Sequence, residues 1–509
     1  MRQYLTTPIY YVNGDPHVGH AYTSVLGDAL RRITLMTGGE AFLSTGTDEH
    51  GQKNQEAAEK SGLAADEFLE RQARRFRALF DRLDVRYDLF VRTTSSVHKT
   101  AVEEALRRLW DKDLIIRKLY RGLYCVGCEQ FKKAKDLDPQ GRCPDHLIVP
   151  TESEETNYFL RLAPYQEWLM ELLELNDGLI DPPFYRGEVL AMLREPLEDL
   201  SISRPKSRVR LGVELPFDRE YVAYVWFDAL LNYIGNLGWP SDTPEFRLWW
   251  PAATHLMAKD IVKTHCIYWP IILRALGLEP PAGYRIHGYW VGEGGVKMSK
   301  SLGNVVEPNA LIDRVGVDGL RYYLLRSMGS SDSPISDSLV VQAYNTDLAN
   351  NIGNLFARVL RFAANEGRVP SPDSVYDEDA AILEWIARGA ATALKGATLS
   401  AVPQLARTLI EMSTRLNSHV EVVAPWKLAR TPGGGPRLDS AIYVLMECLR
   451  ILAQLAWPIM PATSSSALQM LGASPLKEEP RLHDFLGSTL PKGAPIGAVG
   501  PLFPRIATD

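Results

Sequence analysis

The chain has 509 residues, a formal net charge of −6, 46% hydrophobic residues and 23% charged ones. That length predicts three to four domains, each with its own core, and the composition is ordinary for a soluble intracellular globular enzyme. No run of about 18 apolar residues occurs, which excludes a membrane-spanning helix.

Taken in chain order, the elements alternate. Met1–Tyr10 leads directly into an apolar strand, Leu5–Val12, without signal or transit character, so a cytosolic protein is expected. A helix carrying His17 and His20 follows. A second strand, Ala41–Ser44, ends at Thr45-Gly46-Thr47-Asp48-Glu49-His50-Gly51, and helical stretches come next. Strand, polar loop and helix in alternation predict an α/β fold with a parallel doubly wound sheet and ligands at the carboxyl ends of its strands. The pattern breaks between about 116 and 213, which reads as an insertion. It resumes near Tyr224–Ala229 and again at His255–Asp260. From about 340 the apolar spacing is helical, with Pro432-Gly433-Gly434-Gly435-Pro436 as a loop within an all-α bundle. The expected division is therefore 1–115 and 214–292 for the two halves of the sheet domain, 116–213 for the insertion, 293–340 for a loop and linking segment, and 341–509 for the bundle.

Three constellations carry chemistry. Pro16-His17-Val18-Gly19-His20 puts two imidazoles at i and i+3 on a helix start, whose free N–H groups and dipole favour anions. Lys297-Met298-Ser299-Lys300-Ser301, beside Gly292, Glu293, Gly294 and Gly295, puts two cations and two hydroxyls on a loop suited to closing over a polyphosphate. Cys125-Val126-Gly127-Cys128 and Cys143-Pro144-Asp145-His146 form two ligand pairs that can close a tetrahedron around Zn²⁺. Four protein ligands leave no open position, so one structural metal site is expected. Cys266 and Cys448 lie in apolar surroundings and read as buried thiols. Although the net charge does not mark a nucleic-acid binder, Lys132, Lys133, Lys135 and Arg204, Lys206, Arg208, Arg210 are local basic clusters. Further on, Asn350, Asn354 and Arg358 fall four apart on one helix, a stripe spanning roughly 80° at 100° per residue. Leu348, Ile352, Leu355, Val359 and Phe362 pack on the other side.

The two short motifs, in this order and on either side of an α/β pattern, resemble the paired signatures of class I aminoacyl-tRNA synthetases. Tyr10-Tyr11-Val12-Asn13-Gly14, Thr47–Gly51, Tyr224-Val225-Trp226-Phe227-Asp228-Ala229, Ala258-Lys259-Asp260-Ile261-Val262 with His265, and Ala424-Pro425-Trp426 narrow this. Over nearly the whole chain it is similar to methionyl-tRNA synthetases. The resemblance implies a Rossmann-like sheet split by a zinc-bearing connective insertion and followed by a helical anticodon-binding domain. It implies activation of L-methionine by ATP with Mg²⁺, then transfer to tRNA(Met). His17, Gly19, His20 and Lys297 to Ser301 would hold ATP, with His17, His20, Lys297 and Lys300 catalytic. Ile9, Tyr11, Asp48, Trp226, Ala229, Leu230, Tyr233, Ile261 and His265 match methionine-binding positions, Asp48 holding the ammonium with Arg204 near it. Asn350, Asn354, Arg358 and Trp426 match anticodon readers. Two alternatives stay open: another class I synthetase for an apolar amino acid such as leucine, isoleucine or valine, and a catalytically silent tRNA-binding paralogue. Lacking the C-terminal extension of some members, the chain is expected to be a monomer.

Overall fold

A computed structural model describes residues 1–125, 130–132, 134–144, 147–295, 306–394, 398–476 and 479–507. Its strands, in chain order, are β1 (Arg2–Tyr11), β2 (Glu40–Asp48), β3 (Leu89–Arg92), β4 (Ile115–Cys125), β5 (Gln130–Lys132), β6 (Thr151–Leu160), β7 (Ile180–Asp181), β8 (Leu200–Ser201), β9 (Ser203–Pro205), β10 (Glu214–Leu215), β11 (Asp218–Ala223), β12 (Ala253–Ala258), β13 (Gly283–His287), β14 (Trp290–Val291) and β15 (Ser333–Pro334). Six of them form a parallel sheet in the order β3-β2-β1-β12-β13-β7. The helix α1 (Val18–Met36) joins β1 to β2, and α2 (Gln52–Ser61) with α3 (Ala65–Arg82) joins β2 to β3.

Chain order runs outward from the β1/β12 boundary, through β1, β2 and β3 on one side and β12 and β13 on the other, with the earlier β7 added at the edge; that boundary is the switch point at which doubly wound sheets bind ligands. A local feature opens it. β1 pairs with β12 only over Tyr4–Thr6, and its register against β2 shifts between Thr6 and Ile9. Pro8 sits in that break and has no N–H to give to a ladder. Beyond Thr6 the two central strands part, leaving a crevice at their carboxyl ends.

The insertion folds into an antiparallel sheet, β5-β4-β6-β8, and its β9 joins β10 and β11, just beyond residue 213, in a second one, β10-β11-β9. One strand from within 116–213, β7, nevertheless enters the central sheet, with Ile180 opposite Tyr284. A second difference concerns Tyr224–Ala229, expected to resume the sheet. Val225–Asp228 is a helical turn that runs into a 3₁₀ turn at Ala229–Leu231. A short, mostly apolar run has no period to separate strand from buried helix; the central sheet restarts only at β12.

Beyond 306, apart from the short strand Ser333–Pro334, the described chain is mainly helical: Pro308–Ser327, interrupted at Gly316 (φ 74°), then Asp337–Ala343, Tyr344–Gly353, Asn354–Ala364, Asp377–Ala393, Ala401–Val423, Gly435–Leu455 and Pro461–Met470. One apolar core runs from α1 and α3 into this bundle, and a second fills the opposite face of the sheet beneath the insertion. As a result α1 is buried nearly all round. Cys266 and Cys448 are buried, and burial pushes both thiols up, away from thiolate. Among the described residues no helix is long and apolar enough to cross a membrane.

Candidate active site

Two histidines start the site. His17 caps α1: Gly19 donates its N–H to His17 Nδ1 at 3.1 Å, and the His17 N–H donates to His20 Nδ1 at 3.1 Å. A ring nitrogen that accepts carries no proton, so in each neutral imidazole the proton sits on Nε2. The rings stack 3.6 Å apart, with Tyr10 and Phe76 against His20 at 4.7 and 5.1 Å. Burial, and then the neighbouring His17, hold His20 well below the usual histidine range. A Cβ on Gly19 would stand 3.0 Å from the His17 ring, so glycine there leaves room for the cap. The result is a helix start with two neutral N–H donors, suited to anionic oxygens.

Both rings line a cavity of about 300 Å³ in the β1/β12 crevice. Ile9 and Tyr11 come from the end of β1 and Asp48 from the end of β2. Trp226, Ala229, Leu230 and Tyr233 come from the helical turns after β11, and Ile261 and His265 from those after β12. All nine positions matched to methionine binding therefore share one wall with His17, Gly19 and His20.

The far side of the cavity is neutral. His265 Nδ1–H donates to the Ile261 carbonyl at 3.0 Å, so its Nε2 accepts from the Tyr233 hydroxyl at 2.8 Å. Burial pushes His265 down to about 4. Behind Tyr233, His255 accepts from Trp269 Nε1 at 3.0 Å and meets the Thr6 hydroxyl at 2.7 Å. Uncharged rings and one hydroxyl suit a polarizable, weakly hydrogen-bonding side chain.

Sequence reasoning missed part of the wall. Thr23, Ala258, Asp260, Thr264 and the run His287-Gly288-Tyr289-Trp290 also line it. The last follows β13 at its carboxyl end, the position at which such sheets carry ligand-facing loops. His287 Nδ1 donates to the Gly288 carbonyl at 2.8 Å and its Nε2 lies 2.9 Å from the Thr23 hydroxyl. Arg204 is not in this wall; its guanidinium lies over Tyr224 and bonds Ser201 and the Ser203 carbonyl. Lys297, Met298, Ser299, Lys300 and Ser301 lie outside the described residues.

Comparison with known proteins agrees with this arrangement. A family model described as tRNA synthetases class I (M) matches residues 3–148 and 147–360. A methionine–tRNA ligase of Rickettsia felis is 36% identical over 516 residues, covering 99% of each chain. One of Deinococcus radiodurans is 38% identical, over 92% of this chain and 70% of its own length. The solved Mycobacterium tuberculosis methionyl-tRNA synthetase in complex with methionyl-adenylate superposes with a TM-score of 0.93 at 35% identity, over 99% of this chain and 100% of that one. The chain belongs to the class I methionyl-tRNA synthetases.

Two further regions bear on that membership. Cys125 ends β4 and Cys143 sits in a tight turn, where Cys143 N–H donates to the Ile148 carbonyl at 2.8 Å and Leu147 N–H to the Cys143 carbonyl at 2.7 Å. Both side chains are buried; Cys128 and His146 lie outside the described residues. In the bundle, Asn350 and Asn354 are exposed. Arg358 pairs with Glu421 at 2.6 Å and lies 5.7 Å from the half-buried Trp426 ring. The helix expected to be continuous there is π-helical over Tyr344–Gly353 and α-helical only from Asn354. Asn351 is tied to Ser413, Thr414 and Asn417 on the helix Ala401–Val423, which holds the wider turn in place. Asn350 and Asn354 thus do not follow α-helical spacing.

The buried histidines set a pH dependence. His265 and His287 both stand at about 4 in the folded chain because of burial, against about 6.5 unfolded. Between those values the unfolded chain binds more protons, so stability rises with pH from about 4 to 6.5 and is flat above. Each group contributes on the order of 3 kcal/mol across the window. Urea unfolding at pH 7 and pH 5 should give a clearly lower midpoint at pH 5; equal midpoints would contradict the neutral, buried assignment.

Proposed function

We propose that the cavity binds methionine and ATP and that the chain is a methionine–tRNA ligase. The observation that carries this is one crevice joining an aromatic pocket to a helix start that places the His17 and His20 rings, each with its Nδ1 accepting, in the same wall. Methionine's carboxylate oxygen attacks the α-phosphorus of ATP, pyrophosphate leaves with the electron pair of the broken P–O bond, and methionyl-adenylate remains. The reactants already carry nucleophile and leaving group, so catalysis is positioning and charge neutralisation. In this reading His17 and His20 donate to phosphate oxygens, Lys297 and Lys300 neutralise the pyrophosphate end, and Mg²⁺ accompanies the nucleotide. Asp48 takes the ammonium, and Tyr11, Trp226, Tyr233 and His265 surround the thioether. The 3′-terminal adenosine of tRNA then attacks the adenylate and releases AMP.

Cys125, Cys128, Cys143 and His146 would hold Zn²⁺. Two buried thiols, one at a strand end and one in a tight turn, fit such a knuckle. The metal would supply structure to the insertion, and no catalytic step involves it. Asn350, Asn354, Arg358 and Trp426 form the anticodon-reading face, amides and guanidinium for base edges and the indole for stacking.

Amino-acid-dependent exchange of pyrophosphate into ATP, with each of the twenty amino acids and no tRNA, tests the central claim. Methionine alone should support exchange; exchange led by leucine, isoleucine or valine would discard the pocket assignment. The bundle has its own test. A stacked base is worth about 1–3 kcal/mol, so Trp426→Ala should reduce charging of tRNA(Met) roughly five- to hundredfold and leave exchange intact. Parallel losses in both assays would make Trp426 a packing residue.

A further inference from the structure

Outside the cavity lining, next in sequence to two of its wall segments, lies a buried cluster of Asp228, His50 and His98. The Asp228 carboxylate is wholly buried; one oxygen accepts from His50 Nδ1 at 2.5 Å and the other from His98 Nε2 at 2.6 Å. His50 is two residues beyond Asp48, and Asn54 Nδ2 donates to both the Asp48 and His50 carbonyls, at 2.9 and 2.8 Å. Glu49 between them is fixed by Arg92 and by Thr93, whose hydroxyl accepts the Glu49 N–H. Asp228 itself ends the helical turn that carries Trp226 and is followed directly by Ala229 and Leu230. His98 comes from the far side, on the helix Ser96–Asp111.

We propose that Asp228 is a positioning residue which, through His50, sets the distance between the ammonium end of the amino-acid cavity at Asp48 and its side-chain end at Trp226 and Ala229. The proposal rests on the functional reading above. A cavity held at one length selects the length of its amino acid. One methylene in such a pocket is worth roughly 10–200-fold in discrimination, but only while the walls cannot shift to absorb it. The His50–Asp228 bond is a side-chain link that ties the strand end bearing Asp48 to the turn bearing Trp226. His98 braces the same carboxylate from behind without joining the two walls.

That asymmetry supplies the test. His50→Ala and His98→Ala each remove one of the two donors to a buried carboxylate, so both should lower the melting temperature. Only His50→Ala breaks the link between the walls. In pyrophosphate exchange, the ratio of kcat/KM for methionine to that for ethionine or norvaline, one methylene longer and one chain atom shorter, should fall at least about fivefold in His50→Ala. In His98→Ala it should stay within about twofold of the unmodified chain. His50→Phe fills the ring's volume without the hydrogen bond and gives the same reading if the alanine variant does not fold. An unchanged ratio in the His50 variants, or equal falls in the His50 and His98 variants, overturns the proposal. Absence of methionine-dependent exchange in the unmodified chain would instead overturn the functional reading itself.

Discussion

Replacing His20 by alanine is expected to slow methionyl-adenylate formation by roughly 10²–10³-fold, the scale seen when one preorganised donor to a developing anion is removed. Methionine affinity, measured without ATP, should change little. The reasoning starts from the cap. Because Nδ1 of His20 accepts the His17 N–H, the ring is fixed as the Nε2–H tautomer and its donor direction is set before substrate arrives. Burial, with His17 close by, holds the ring well below the usual histidine range, so near neutral pH it donates as an uncharged N–H. The His20 contribution should therefore not titrate away between pH 6 and 8. His20→Asn places a donor N–H on a shorter arm and cannot reproduce both contacts, so it should recover only part of the rate. Single-turnover adenylate formation in the three proteins decides the matter. A loss in His20→Ala below about tenfold, or one matched by loss of methionine binding, would assign the ring to packing against Tyr10 and Phe76.

The histidine pair was legible from sequence because its chemistry is local: four residues, one helix start and a reciprocal cap. The parallel sheet was legible for a similar reason, since apolar strands and polar loops alternate along the chain. What escaped depended on distance. His50, His98 and Asp228 come together across separations of 130 and 178 positions, and no window of sequence contains them. The turn bearing Trp226 was taken for strand because a short buried run is apolar in either conformation. The π-helical stretch at Tyr344–Gly353 was read as α because its extra residue is held by polar contacts from another helix, which helical periodicity does not record. The wall run His287–Trp290 lay at the end of a strand that the chain pattern had not marked.

The largest stability effect is expected at Arg321. Its guanidinium is wholly buried where the helix Pro308–Ser327 meets both α1 and the bundle. It pairs with Asp28 at 2.6 Å and donates to the carbonyls of Ile459 at 2.9 Å and of Leu83 and Pro458 at 3.0 Å each. Asp28 also holds Arg32 at 2.8 Å and accepts the Arg86 N–H at 3.0 Å. Burial alone would raise the Asp28 carboxyl, but the two guanidinium groups outweigh it and leave it below the ordinary range. Arg321→Met, close in length and apolar, would leave three buried carbonyls without this donor and a buried carboxylate with one cation instead of two. Removing one partner of a buried ionic network costs about 3–5 kcal/mol, and lysine cannot replace the planar fork that serves four acceptors at once. Urea unfolding should show that loss. Hydrogen exchange should place it in α1 and at Ile459–Met460, where the sheet domain meets the bundle, and not at the cavity wall. Because the Asp28 carboxyl is lowered in the folded chain, the network's stabilisation is present above about pH 4, the unfolded value, and is lost as pH falls through its lower folded value. In Arg321→Met that acid loss should begin at higher pH, since less positive charge holds the carboxylate. A cost below about 1 kcal/mol would mean that water enters and satisfies these groups, and that the apolar core shared by α1 and the bundle is sufficient to hold the two together.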